Sequence, residues 1–463
     1  MSDPGFTIEI YQNEYLPDGC RDINAVITVT SSASALTATG TVPAQDQGPA
    51  NAPASAARDL AMTSAGSALE TSRAPSCAEI IIIDCSGSMN MPETKMSAVL
   101  RATAAAVNTI RDGVAFALIA GTERAQPLYP DDGTMAIAGP RTKVAAKRAM
   151  IRLRPAGGTA IGQWLRLARY IFTSRPADLR HVILLTDGKN EHETPDALDS
   201  AIDLCNGVFT CDCRGVGTDW EVAELRKVAT GLLGTVDIVP EPEGLESDFA
   251  AMVESAMGKQ VADVALRIWT PQQANIRFVR KVAPFVDDLT GRRTESGPQT
   301  GDYPIGSWAA GESRDYHLCM RVAPGTVGQK MLAARVRLVI GSAADPRVLG
   351  DGLVRAVWTA DEQLFAAINR QVAHYAGQAQ LAQLIQEGLA ARKQGDDNTT
   401  LAKLGRAVAL AEQSGNEDTA KLLARVVEVV DAPAGTVRLK KKVNEVDEMT
   451  LDTRSTRTVR TRK

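Results

Sequence analysis

The stretch Glu79-Ile80-Ile81-Ile82-Ile83-Asp84-Cys85-Ser86-Gly87-Ser88 decides how this chain is read. Four consecutive isoleucines leave no polar face. Such a run suits a strand of a parallel sheet that is covered on both sides. Directly after it the residues become small and rich in side-chain oxygen. A helical pattern follows, with Met96, Val99, Leu100, Val107 and Ile110 on one face.

The alternation continues downstream. Val114–Ala120, His181–Leu185, Val208–Val216 and Val236–Val239 read as strands. Helices are expected at Lys143–Leu153, after Gly158 (Ile161, Trp164, Leu165, Ala168 and Ile171 on one stripe), at Ala197–Leu204, Trp220–Ala229 and Leu245–Met257. Residues 77–258 are therefore expected to form an α/β unit with a doubly wound, mostly parallel sheet.

The pattern changes on either side. Residues 1–30 carry short strands, with Phe6, Ile8 and Ile10 alternating and Ala25–Val29 apolar. Two strands cannot bury a core alone. Residues 259–358 are all-β in pattern, with Arg335 and Arg337 alternating against Val336 and Leu338, and read as a β-sandwich. The first strands are expected to complete this sandwich, which makes the α/β unit an insertion; an N-terminal arm packed elsewhere is the alternative. Residues 31–76, rich in Ala, Ser, Thr, Gly and Pro, read as a flexible linker. Residues 359–431 return to helical periodicity. Residues 432–463 hold nine basic side chains against four acidic ones and read as a disordered basic tail.

Composition narrows the function. The 463 residues are 44% hydrophobic and 23% charged, with a net charge of −4, which is ordinary for a globular protein. No whole-chain field draws the protein to nucleic acid or to an anionic membrane. No apolar stretch is long enough for a transmembrane span, and the first residues lack a signal-peptide pattern. With seven cysteines the chain is no disulfide scaffold. A reduced, cytoplasmic setting is expected.

Three separated pieces point to one place. Asp84-Cys85-Ser86-Gly87-Ser88 follows the isoleucine strand, Gly157-Gly158-Thr159 precedes a helix, and Thr186-Asp187-Gly188 ends the strand His181–Leu185. Ligands of open parallel sheets bind outside the carboxyl ends of the strands. Carboxylates and hydroxyls suit a hard cation such as Mg²⁺. The bland reading is a polar loop that caps the following helix.

Together the pieces resemble the von Willebrand factor A family and its metal-ion-dependent adhesion site: D-x-S-x-S, then a distant Thr, then a distant Asp. Asp84, Ser86, Ser88, Thr159 and Asp187 match in order, and the resemblance covers about 180 residues. It implies a Rossmann-like fold in which Ser86, Ser88 and Thr159 ligate Mg²⁺ or Mn²⁺ through hydroxyl oxygens. Asp84 and Asp187 would act directly or through water, and an open position would take a carboxylate from a partner protein. The implied function is a non-enzymatic, metal-dependent scaffold or adaptor. The arrangement resembles bacterial intracellular members, some of them linked to Ser/Thr kinases, phosphatases and phosphothreonine-reading forkhead-associated domains. The alternative is a co-factor for a separate AAA+ ATPase, as in chelatase-type or MoxR-type machines.

Other features have plainer readings. Cys205, Cys211 and Cys213 read as buried core thiols, since no fourth ligand stands at finger-like spacing. His192 reads as an exposed loop residue, with metal contact as the alternative. Lys189, Asn190 and Glu191 could set rim charge or form a solvated turn. Thr450, Thr453, Thr456, Thr458 and Thr461, lying among basic residues, could receive phosphate and meet a phosphothreonine reader or kinase, or simply solvate the tail.

Overall fold

The four isoleucines separate onto two faces. Ile80 and Ile82 pack among the helices Ile161–Phe172, Pro195–Cys205 and Val222–Gly231. Ile81 and Ile83 pack among Glu93–Thr109, Pro140–Met150 and Leu245–Met257. All four are completely buried. Two helix layers therefore cover the strand Cys77–Asp84, which is why its apolar run is unbroken. The computed structural model describes residues 5–32, 75–90, 93–239, 244–341, 345–367 and 369–460. The expected linker at 31–76 lies almost entirely outside the described residues.

Across the α/β sheet the order is Val236–Val239, Thr210–Val216, Leu179–Thr186, Cys77–Asp84, Ala115–Gly121 and Ala125–Tyr129. The first five are parallel, and the last is antiparallel. Parallel pairing places the carboxyl ends of Cys77–Asp84 and Leu179–Thr186 side by side.

The sheet interrupts a β-sandwich. One layer runs Phe6–Gln12, Asp22–Ser31, Ser313–Val322, Ala274–Ala283 and Asp287–Asp288. The other runs Thr294–Gly297, Thr300–Ala309, Lys259–Trp269, Lys330–Gly341, Pro346–Trp358 and Tyr15–Leu16. Asp22–Ser31 pairs antiparallel with Ser313–Val322 across the whole insertion, Ser313 opposite Thr30. Phe6, Trp308, Tyr316 and Trp358 fill the shared core.

Helices Arg370–Lys393, Asp397–Ser414 and Glu417–Val426 follow. Their starts are capped by the side chains of Asn369, Asp396 and Asn416. The hairpin Val427–Asp431/Thr436–Leu439 docks on this bundle. A Cβ on Gly405 would stand only 2.3 Å from the Gly435 carbonyl oxygen, so the contact needs glycine. No helix among the described residues is long and apolar enough to cross a membrane.

The basic segment 432–463 differs from expectation. It is folded through most of its length, with the helix Glu445–Arg454 capped by Asn444. Leu451 is buried in the helical bundle, and Met449 reaches the core of the α/β unit. Arg454 and Arg457 pair with Asp237, and Arg460 with Asp315. Backbone hydrogen bonds join Val286 to Thr456 and Thr458 to Pro284. The charges that read as solvating meet acids far away in sequence, which local composition does not display. Thr450 and Thr453 are 4% and 2% exposed, which closes them to a kinase while the helix is docked. Thr461 lies outside the described residues.

At the amino ends of the sheet strands, His181 bridges Glu79 Oε1 at 2.8 Å and Asp212 Oδ2 at 3.1 Å. Burial alone would lower the His181 pKa, but the two carboxylates outweigh it and raise it to about 10. In the folded chain the ring thus keeps, between about pH 6.5 and pH 10, a proton that the unfolded chain has released. This contribution to stability is complete below about pH 6.5 and is lost as pH climbs toward 10, at up to about 1.4 kcal/mol per pH unit. Lys281, pushed down to about 8 mainly by burial, works in the opposite sense above pH 8. Comparing His181→Gln with the wild type isolates the histidine. Denaturant titrations at pH 6.5 should show the variant weaker by about 3 kcal/mol or more. The gap should narrow toward pH 10; a gap independent of pH would contradict this reading.

Candidate functional site

Asp84 is the last residue of its strand, and Asp187 follows Leu179–Thr186 by one position. Both carboxylates are fully buried. Thr186 Oγ1 donates to Asp84 Oδ2 at 2.5 Å, and the Ser86 N–H donates to Asp84 Oδ1 at 2.7 Å. Burial pushes the Asp84 carboxyl up to about 6, against the pull of those two donors. With both oxygens engaged by the protein, Asp84 shapes the loop.

Ser86 Oγ and Ser88 Oγ lie 2.9 Å apart, and Ser88 Oγ donates to Asp187 Oδ1 at 2.7 Å. Thr159 comes from a separate loop. A Cβ built on Gly188 would stand 3.0 Å from Thr159 Oγ1, 3.3 Å from Ser88 Oγ and 3.7 Å from Ser86 Oγ. The three hydroxyls thus ring one small space over Gly188, with the Asp187 carboxylate on its border. The five residues singled out in the sequence are brought together. Such an oxygen set fits a hard divalent cation. The Cys85 side chain turns away, its thiol against Ile83 O at 3.5 Å and pushed up to about 12 by burial.

The Thr159 loop is held by neighbours. Gly87 N–H donates to Gly157 O at 3.0 Å, and Ala156 N–H to Cys85 O at 2.8 Å, which stitches the two loops together. Gly158 N–H donates to Glu123 Oε2 at 2.7 Å, a contact that lowers the Glu123 pKa. The Thr159 N–H donates to His192 Nδ1 at 3.2 Å. The imidazole lies so close to Gly158 that a Cβ there would meet the ring at 2.0 Å. His192 therefore props the threonine loop. Asn190 serves the next helix, its Oδ1 accepting from Ile161 N–H at 2.7 Å. Lys189 pairs with Glu221 at 3.4 Å on the rim.

Sequence reading missed Lys95. Its ammonium donates to Asp187 Oδ2 at 2.5 Å and lies 3.5 Å from Asp219. A lysine in the first turn of a helix, seven positions after Ser88, was the available signal. Glu123 was missed too; nothing in its local sequence marks it.

Elsewhere, charged side chains concentrate around two cavities and are largely paired there. Two cavities of 250 and 680 Å³ lie between the α/β unit and the rest of the chain. Their cations sit beside acids, as in Lys259–Glu312, Arg226–Asp452 and Arg454–Asp237. Cys205, Cys211 and Cys213 are buried free thiols within the apolar core. Among the described residues, no group of three or more His, Cys, Asp or Glu side chains is placed to hold a metal.

Comparison with known proteins agrees with this architecture. Residues 79–238 match the von Willebrand factor type A domain, and 409–455 the von Willebrand factor type A C-terminal domain. The second match falls on the helices, hairpin and terminal helix described above. A solved von Willebrand factor type A protein from Catenulispora acidiphila is 47% identical; the alignment covers 99% of this chain and 98% of that one, with a TM-score of 0.87. The ArnB paralog VWA2 from Sulfolobus acidocaldarius shares the fold at 12% identity and a TM-score of 0.56, over 97% of this chain and 98% of its own. The uncharacterized protein sll0103 of Synechocystis sp. is 27% identical over 217 residues, 45% of this chain. The match spans about half of that relative's length, 49%. The chain belongs to the von Willebrand factor type A family.

Proposed function

We propose that this protein is a metal-dependent protein-binding scaffold. A divalent cation, Mg²⁺ or Mn²⁺, would be held by Ser86, Ser88 and Thr159 through hydroxyl oxygens, with Asp84 and Asp187 acting directly or through water. The cation would supply a Lewis-acidic position for an aspartate or glutamate of the partner. The observation that carries this reading is the convergence of three hydroxyls, from two separate loops, over Gly188. Helix capping alone does not call for it: Thr159 lies two residues ahead of Ile161–Phe172, whose first N–H groups are satisfied by Asn190 and Glu193.

Neutral hydroxyl donors suit a capture role. They add no negative charge beyond the two carboxylates, so an outside carboxylate gains by completing the shell. The exposed rim residues Glu123 and His192 hold the threonine loop, which favours binding over catalysis. We place the protein in the cytoplasm, where its seven free thiols would remain reduced.

Calorimetric titration should find one Mg²⁺ site per chain. Thr159→Ala and Ser86→Ala should weaken it at least about tenfold, roughly 1.4 kcal/mol, while Thr159→Ser stays near wild type. Equal affinity in the alanine variants would place the cation elsewhere. Partner capture should follow the metal: proteins retained on immobilised chain in Mg²⁺ should elute with a chelator and should not be retained by Thr159→Ala. Retention indifferent to both manipulations would count against the scaffold reading.

A further inference from the structure

Lys95 stands where a lysine is electrostatically disfavoured. It is the third residue of Glu93–Thr109, close to the positive end of the helix dipole. It is also only 7% exposed, and burial adds the cost of stripping water from an ammonium group. Asp187 offsets both penalties. Its two oxygens serve different neighbours: Oδ1 accepts from Ser88 Oγ at 2.7 Å, and Oδ2 accepts from Lys95 Nζ at 2.5 Å. The lysine and the hydroxyl network therefore hold different oxygens of one carboxylate.

We propose that Lys95 is a built-in counter-cation that loosens the site's hold on its divalent ion and strengthens the ion's attraction for an incoming carboxylate. This rests on the metal-site reading above. Asp84 and Asp187 together contribute two negative charges, which a divalent ion would cancel. Lys95 adds one positive charge that is buried and held in place, so the loaded site carries a net charge of +1. Asp219 does little to cancel it, since its side chain is 68% exposed and screened by water. An anionic partner is then drawn to a positive centre, and the ion itself faces an aspartate already half balanced by the ammonium. Removing the lysine charge reverses both effects. A lysine that merely propped the loop would, when removed, weaken metal and carboxylate binding together.

The test uses the full chain with Lys95→Met, which keeps the aliphatic stem, and Lys95→Gln, which keeps a donor for Asp187. Lys95→Arg retains the charge and should behave close to wild type. Calorimetry with Mg²⁺ should show the two neutral variants binding at least about tenfold more tightly than wild type. Acetate then serves as the carboxylate probe on Mn²⁺-loaded protein, followed by water-proton relaxation. At equal acetate it should displace less metal-bound water from the neutral variants than from wild type. Neutral variants that fold and bind Mg²⁺ no better than wild type would overturn the proposal while leaving the metal site intact. Acetate displacement equal to wild type would overturn it as well. Failure of the wild-type chain to take up Mg²⁺ or Mn²⁺ at all would sink the site reading and this proposal with it.

Discussion

One buried hydrogen bond, from Thr186 Oγ1 to Asp84 Oδ2, ties together the two strand ends from which the site hangs. Both residues are completely buried, so water cannot compete for either partner. Each then orders its own loop. Asp84 accepts from the Ser86 N–H, which turns the chain so that Ser86 and Ser88 present their hydroxyls. Thr186 Oγ1 accepts from the Gly188 N–H at 3.1 Å, which fixes the backbone under those hydroxyls. A single contact thus registers two loops about a hundred residues apart in sequence. The third loop, at Thr159, is added by backbone hydrogen bonds to the first.

The fold was legible where its cause is local. An unbroken isoleucine run states that both faces of a strand are covered. Alternation such as Arg335-Val336-Arg337-Leu338 states that one face is not, and the oxygen-bearing motifs state their positions at strand ends. The sandwich strands at 6–31 were legible for a different reason: two short apolar strands had to find partners elsewhere. What escaped depends on contacts between distant charges. Lys95 looks like any helix-surface lysine until Asp187 arrives beside it. The basic terminal segment looks solvating until Asp237 and Asp315 are brought to it. His192 is exposed in a loop, as its sequence context implies, but its role as acceptor for the Thr159 N–H depends on a hydrogen bond no spacing reveals.

The described residues grip the α/β unit at one end of its sheet. At the amino ends of its strands, His181 with its two carboxylates and the cavity lined by Lys259, Lys281 and Arg314 face the sandwich. The terminal segment crosses from Asp237 to Asp315 and so bridges both bodies. The candidate site lies at the opposite ends of the same strands. The same strands connect the two ends, so the grip supports the scaffold that carries the three loops.

The pairing of Asp22–Ser31 with Ser313–Val322 has a consequence for how the protein is made. Thr28 meets Asp315, 287 positions later, through a side-chain hydrogen bond as well as the ladder. At ordinary rates of translation the ribosome takes roughly 15–60 seconds to cover that distance. Throughout that time the first hairpin, Phe6–Gln12 with Asp22–Ser31, emerges with an open edge and an uncovered apolar face. The inserted unit can assemble most of its core while the hairpin waits, because its strands and helices are contiguous in sequence, and Met449 joins it last. The order of synthesis thus leaves the nascent hairpin, rather than the central sheet, waiting longest for its partner strand.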